Sequence, residues 1–299
     1  MGEAPCRGRA AASPYAPGMK FFRSRGRDGA GQATESPLIR AMTLYQGGSY
    51  AEAEAESRAV AAARSGLRDD PYVPLALGMA ALAANAQGRH AEAVAAYGGL
   101  LPEFGRILGA AHPQTLKLRS DRAQALSALA RYAESEAECT ALARIARRGA
   151  GPHMALLAAA ARNGQIFALN GLGRHTEAET VAREALAAHG DRDRFRLVLL
   201  LGLARSLNGQ GRHTEALAEA GRADELRRGL PEGEGRSEIG GVELAFSTAL
   251  FGLGRDAEAR TLAATAHASC LAAFGPDHRR TVEAREVLDR ADTPDRPHT

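Results

Sequence analysis

One polar hexapeptide, Gly-Arg-His-Thr-Glu-Ala, occurs twice, at 173–178 and 211–216. Looser copies stand at 48–53, 88–93, 130–135 and 254–259: GSYAEA, GRHAEA, ARYAES and GRDAEA. Their third positions fall at Tyr50, His90, Tyr132, His175, His213 and Asp256, at intervals of 40, 42, 43, 38 and 43 residues. Self-similarity at such a period implies a stack of supersecondary units. Each unit buries its apolar face on its neighbours, so the core is a column and not a ball.

The unit reads as a helical hairpin. Apolar residues make up 45% of the 299-residue chain, yet aromatics are 5% and tryptophan is absent, so Ala and Leu must build the core. Ala, Leu, Arg and Glu, all abundant here, are strong helix formers. The Gly that opens most hexapeptides supplies a positive φ at a helix C-terminus. The Glu lies in the first turn of the next helix, at the positive end of its dipole. The closing Ala, or Ser135, sits where two helices cross and only a small side chain fits. Leucine recurs six positions before the Tyr/His residue, at Leu44, Leu126, Leu169, Leu207 and Leu250, with Ala84 in the second copy. This register predicts first helices near 36–47, 72–87, 114–129, 155–171, 193–209 and 238–252. Second helices fall near 50–65, 90–107, 132–147, 175–189, 213–228 and 256–273. Arg147-Arg148-Gly149 and Arg227-Arg228-Gly229 are stop signals, cations followed by Gly. A last helix near 278–290 has a charged outer side, as an end cap requires.

The Gly-x-Tyr/His-x-Glu-Ala turn with its preceding Leu resembles the tetratricopeptide repeat. The period near 42 and the links GAAHPQTL (109–116), GAGPHMAL (149–156) and FGPDHRRT (274–281) resemble the kinesin-light-chain type. The chain departs from the pattern in lacking the early Trp and closing Pro of shorter repeats. The first repeat is weak at Ser57 and Val60, and the 228–241 link is irregular. The resemblance implies an all-α, right-handed superhelical solenoid of about six hairpins over 36–291, with a terminal capping helix. It implies a non-catalytic scaffold that binds a protein or extended peptide in a concave groove. The alternative is a peptide-sensing regulator acting on a separate effector chain.

Charge and motifs narrow the function classes. Residues 1–35 carry six basic and three acidic residues, which accounts for the whole net charge of +3. They read as a disordered basic arm, with Met19 an alternative start, and 292–299 as a disordered tail. The remainder is neutral and shows no electrostatic footprint for nucleic acid. Cys6, Cys139 and Cys270 are too few and too scattered for a disulfide framework, which suits a reducing cytoplasm. No run reaches the length of a membrane span. Arginine far outnumbers lysine, which points to a GC-rich bacterial, actinobacterial, genome. No nucleophile elbow or phosphate loop is present. Neither cofactor, metal nor small-molecule substrate is expected. His90, His175 and His213 share one repeat position and are about one hairpin apart, too far to share a metal. They are expected to pack at their turns, and His112, His153 and His278 to cap first helices.

The resemblance also places groove positions on the first helices at fifteen, twelve, eight and five before the Tyr/His residue. Five before gives Tyr45, Asn85, Ser127, Asn170, Asn208 and Phe251. Asn is a mediocre helix former, and its amide both donates and accepts. A ladder of such amides suits the backbone of an extended peptide. Helix capping is the competing role. Neighbouring rows add Met42, Leu82, Gln124, Phe167, Arg205 and Thr248, then Asn163 among others. The groove is expected to be polar at its centre, with apolar ends at Tyr45 and Phe251. Arg205 or Lys117 would meet an acidic side chain of the ligand. The oligomeric state stays open.

Overall fold

The structure is a computed structural model that describes residues 37–292, apart from 68, 191, 232, 233, 235–237 and 277. The arm expected over 1–35 and the tail beyond 292 lie outside the described residues. Among those described there are thirteen α-helices and no strand. Six hairpins follow one another: α1 (Ile39–Gln46) with α2 (Tyr50–Arg64), α3 (Tyr72–Ala86) with α4 (His90–Ile107), and α5 (Pro113–Ala128) with α6 (Tyr132–Arg148). Then come α7 (Pro152–Gly171) with α8 (His175–Ala188), α9 (Arg194–Gly209) with α10 (His213–Arg228), and α11 (Gly241–Gly252) with α12 (Asp256–Phe274). A single helix, α13 (Arg279–Asp292), closes the stack.

Three helices, α1, α7 and α11, start three residues from their expected positions, the last two for a visible local reason. α7 begins at Pro152, where a proline at the first helical position loses no needed donor. α11 begins at Gly241, because Gly240 takes the left-handed conformation with φ 74° and stops the helix from starting earlier.

All six hexapeptides make the same turn. The backbone N–H of the second residue donates to the carbonyl six positions before the Tyr/His residue: Ser49 to Leu44, Arg89 to Ala84, Arg131 to Leu126, Arg174 to Leu169, Arg212 to Leu207 and Arg255 to Leu250. This closure needs a left-handed residue after the helix. Gly48, Gly88, Gly173, Gly211 and Gly254 supply it, and Ala130 is forced into the same region at φ 56°. The closing small residues, Ala53, Ala93, Ser135, Ala178, Ala216 and Ala259, are all at most 1% exposed. The helices of each hairpin therefore cross there with nothing larger than a methyl or hydroxymethyl between them.

The links between hairpins repeat a second device. In GAAHPQT the Thr115 hydroxyl donates to the Gly109 carbonyl at 2.8 Å, and in GPDHRRT Thr281 donates to Gly275 at 2.8 Å. His112 and His278 accept through Nδ1 from the backbone N–H of Gln114 and Arg280, as the capping expectation required. His153 instead lies inside the first turn of α7.

The layers have an order. Each odd-numbered helix packs on the next odd one as well as on its hairpin partners, whereas the even helices pack little on one another. A stack held more closely on one side curves toward that side. The first helices thus line the inner surface and the second helices the outer. No helix among the described residues is long and apolar enough to cross a membrane.

Candidate functional site

The inner surface of α5, α7, α9 and α13 is the candidate site. Its first components are the rings at the third hexapeptide position. His90, His175 and His213 each place Nδ1 against the Oδ1 of the Asn five residues earlier: Asn85 at 2.8 Å, Asn170 at 3.0 Å and Asn208 at 3.2 Å. The ring then lies over the next hairpin. A Cβ built on Gly209 would collide with the His175 ring, and one on Gly252 with the ring of His213. Gly171 makes way for Tyr132 in the same manner. These rings are fasteners between successive hairpins, which fits the packing role expected for them.

This geometry corrects the reading of the asparagine ladder as a set of amides offered to a ligand. Asn170 is buried, with its Nδ2 donating to the Ser206 hydroxyl at 3.0 Å and reaching the Gly202 carbonyl at 3.4 Å. Asn208 donates to the Ala245 carbonyl at 3.4 Å. Asn85 is half-buried and holds His90. Their amides join a first helix to its own turn, and in two cases to the next first helix. They do not cap helix ends either. Ser127 is also taken up inside its hairpin: it is buried, and its hydroxyl pairs with that of Ser135 at 2.7 Å. The expected apolar anchor Tyr45 is buried against Tyr50, at a ring separation of 5.2 Å, and Phe251 packs on the cluster of Leu244, Ala263 and Val287.

The other predicted groove residues are only partly buried. Asn163 is half-buried, and its side chain meets no partner among the described residues. Gln124 is half-buried and makes only a long contact, 3.5 Å, to the Ser120 carbonyl of its own helix. Thr248 is half-buried and donates its hydroxyl to the Leu244 carbonyl at 2.9 Å. Phe167 is half-buried, with Tyr132 edge-on at 6.1 Å.

Both cations expected to meet an acidic ligand already have carboxylates. Lys117 binds Asp121 at 2.6 Å. Burial pushes the Asp121 carboxyl up, against the lowering pull of Lys117. Arg205 pairs with Glu283 of α13 and also stacks on Phe167, with its guanidinium carbon 5.5 Å from the ring centroid. A second guanidinium, that of Arg279, lies 4.1 Å from the same centroid.

Arg279 and Glu283 are inner-surface residues that the sequence reading missed. The link GPDHRRT carried the signal, since it aligns α13 with a first helix and puts Glu283 at the register of Lys117. Treating α13 only as a cap hid its inward side. Arg279 is exposed as a residue, with its guanidinium set against the Phe167 ring. Loss of solvent around the guanidinium, and the charges of Arg280 and Arg205, lower its pKa to about 10 against the raising pull of Glu283 and Glu238. His278 is lowered to about 4 by burial and by Arg280, Arg279 and His90.

Residues 245–280, which include the sixth hexapeptide turn, match the tetratricopeptide repeat family. Two solved structures of a kinesin light chain-type protein of Podosopora anserina with nearly identical TPR-like repeats, one of them a singly substituted form, are similar to this chain. Their TM-scores are 0.54 and, for the substituted form, 0.55, each at 20% identity and each covering 64% of this chain, with 93% and 92% of their own. A tetratricopeptide repeat protein of Parabacteroides merdae aligns over 88% of this chain and 100% of its own at 14% identity, with TM-score 0.45. No curated protein matches the chain in sequence. The Podosopora likeness shows the fold, a helical-repeat solenoid of tetratricopeptide type.

Proposed function

We propose that this tetratricopeptide-repeat solenoid is a non-catalytic scaffold that holds a protein or extended peptide along its inner surface. The observation that carries this reading is the division of labour among inward side chains. Asn85, Asn170, Asn208 and Ser127 are spent on bonds within and between hairpins, while Gln124 and Asn163 bond to no other helix and Phe167 and Arg205 carry inner-face contacts to Tyr132, Arg279 and Glu283. Side chains presented by rigid helices at fixed spacing suit recognition of an extended chain. Phe167 offers a stacking face, Arg205 a charge-assisted bond, and Gln124 and Asn163 amides for a peptide backbone.

The test compares capture from a lysate of the native cell by the full chain, by Gln124→Ala with Asn163→Ala, and by the outer-surface change Glu225→Ala. The groove variant is expected to lose a partner that the outer-surface variant keeps, with the helical circular dichroism of all three alike. Retention of every partner by the groove variant would overturn the reading.

The peptide-sensing alternative draws support from one feature. The contacts of α13 with α7 and α9 reach across the groove, so a ligand that displaces them would alter the curvature of the stack.

A further inference from the structure

In a stack of repeats each unit meets only its neighbours. Two contacts here break that rule. Arg205 of α9 pairs with Glu283 of α13, which skips α11, and Arg279 of α13 lies 4.1 Å from the centroid of Phe167 on α7, which skips both α9 and α11. They lie on the inner face and share Phe167, so they form one bridge over the C-terminal half of the groove. The bridge covers the stretch of α7 and α9 that a bound chain would need.

We infer that Arg279 and Glu283 form a clasp that closes the groove over α7 and α9 in the free protein, and that a partner enters by displacing it. This inference rests on the groove being the binding surface. The groove is thus self-occupied: the Phe167 face already holds a cation, and Arg205 already holds a carboxylate. An entering chain must replace both.

The clasp is built to be weak. The Arg205–Glu283 pair is solvent-exposed, with side-chain exposures of 42% and 29%, so salt screens it and it contributes little. Arg279 makes no ion pair within 4 Å among the described residues; the like charges of Arg280 and Arg205 oppose its position, and the carboxylates of Glu283 and Glu238 favour it from further off. Its closest contact is the stack on Phe167. A single cation–π contact plus one exposed ion pair biases closure over opening by roughly 5- to 30-fold, enough to shut a groove yet yield to a ligand. Neither residue supports the helix itself. α13 is held by Thr281, Ala284 and Val287, which are buried.

A partner-free measurement tests the clasp. In full-length protein carrying Cys6→Ser, with Cys139 and Cys270 buried, Asn163→Cys places one thiol on the inner face of α7, a turn before Phe167. Its rate of maleimide labelling is compared with and without Arg279→Ala and Glu283→Ala. A control chain carries Glu225→Cys on the outer surface instead. Loss of the clasp is expected to speed labelling at position 163 by about tenfold and to leave position 225 unchanged. Arg279→Lys, which keeps a cation over the ring, is expected to restore much of the slow rate. Equal rates at position 163, or a rise at both positions alike, would overturn the clasp. The result does not depend on any partner. A groove that binds nothing would show in the capture experiment while leaving the labelling difference intact.

Discussion

At the residue scale, the lock between hairpins is a ring fitted onto a missing side chain. His175 lies where a Cβ on Gly209 would stand, and Gly209 ends α9. Helix propensity alone favours alanine at such a site by up to about 1 kcal/mol. Crowding decides the sign here, because the new carbon would overlap the atoms of the ring. Gly209→Ala is expected to destabilise by about 1–3 kcal/mol in urea unfolding. Gly221 in α10 has open space at its Cβ position, so Gly221→Ala is expected to stabilise by about 0.5–1 kcal/mol. Stabilisation by both would show that the ring shifts freely and is no lock. The sequence offered half of this device. The recurrence of His175 and His213 was legible, as was their packing role. Gly171, Gly209 and Gly252 share one repeat position, four before the third hexapeptide residue, but nothing in a linear chain says which ring will lie over which glycine.

At the element scale, some junctions carry a buried carboxylate. Glu54 of α2 receives Gln87 at 2.9 Å and an ion pair from Arg89 of the next turn. Glu179 of α8 receives Gln210 at 2.9 Å and Arg212 at 2.6 Å in the same relation. Burial raises each carboxyl's pKa, but the bonds from Gln87, Arg89 and Arg58, or from Gln210 and Arg183 with the charge of Arg212, outweigh it. Both lie below their usual value of 4.5. A folded-state pKa below the unfolded one gives stability that is complete above pH 4.5 and lost as pH falls through the lower folded value. The urea midpoint is therefore expected to drop on acidification below that point. Glu54→Gln with Glu179→Gln is expected to lower the neutral-pH midpoint and flatten the acid limb. An acid limb as steep as the wild type's would mean that other carboxylates govern it. The second and fifth junctions use Val94 and Leu217 at the corresponding position, so the stack does not require charge there.

At the scale of the whole molecule, curvature decides what the inner surface can do. The odd helices pack on one another, and the arc they form brings α13 back to α7. Closure then depends on an exposed ion pair and one stacked guanidinium, and salt weakens the former. Small-angle scattering is expected to show wild-type protein expanding as ionic strength rises. The chain with Arg279→Ala and Glu283→Ala is expected to be expanded from the start and indifferent to salt. Identical profiles for the two chains at low salt would remove the clasp as a determinant of shape.

The helices, the turns and the repeat were legible in the chain, because each rests on contacts a few residues apart: a left-handed residue, a small side chain at a crossing, a Thr that closes its own link. The sequence also named several inner-surface residues, among them Gln124, Asn163, Phe167 and Arg205. Only the tertiary structure decided which of the candidates were consumed. Asn170 meets Ser206 and Ser127 meets Ser135 through packing geometry, which fixes where each polar atom finds its bond. The pairing of α13 with α7 and α9 depends on the accumulated rotation of several hairpins. Small angular increments at each junction sum to the curvature, and no local stretch of residues encodes that sum.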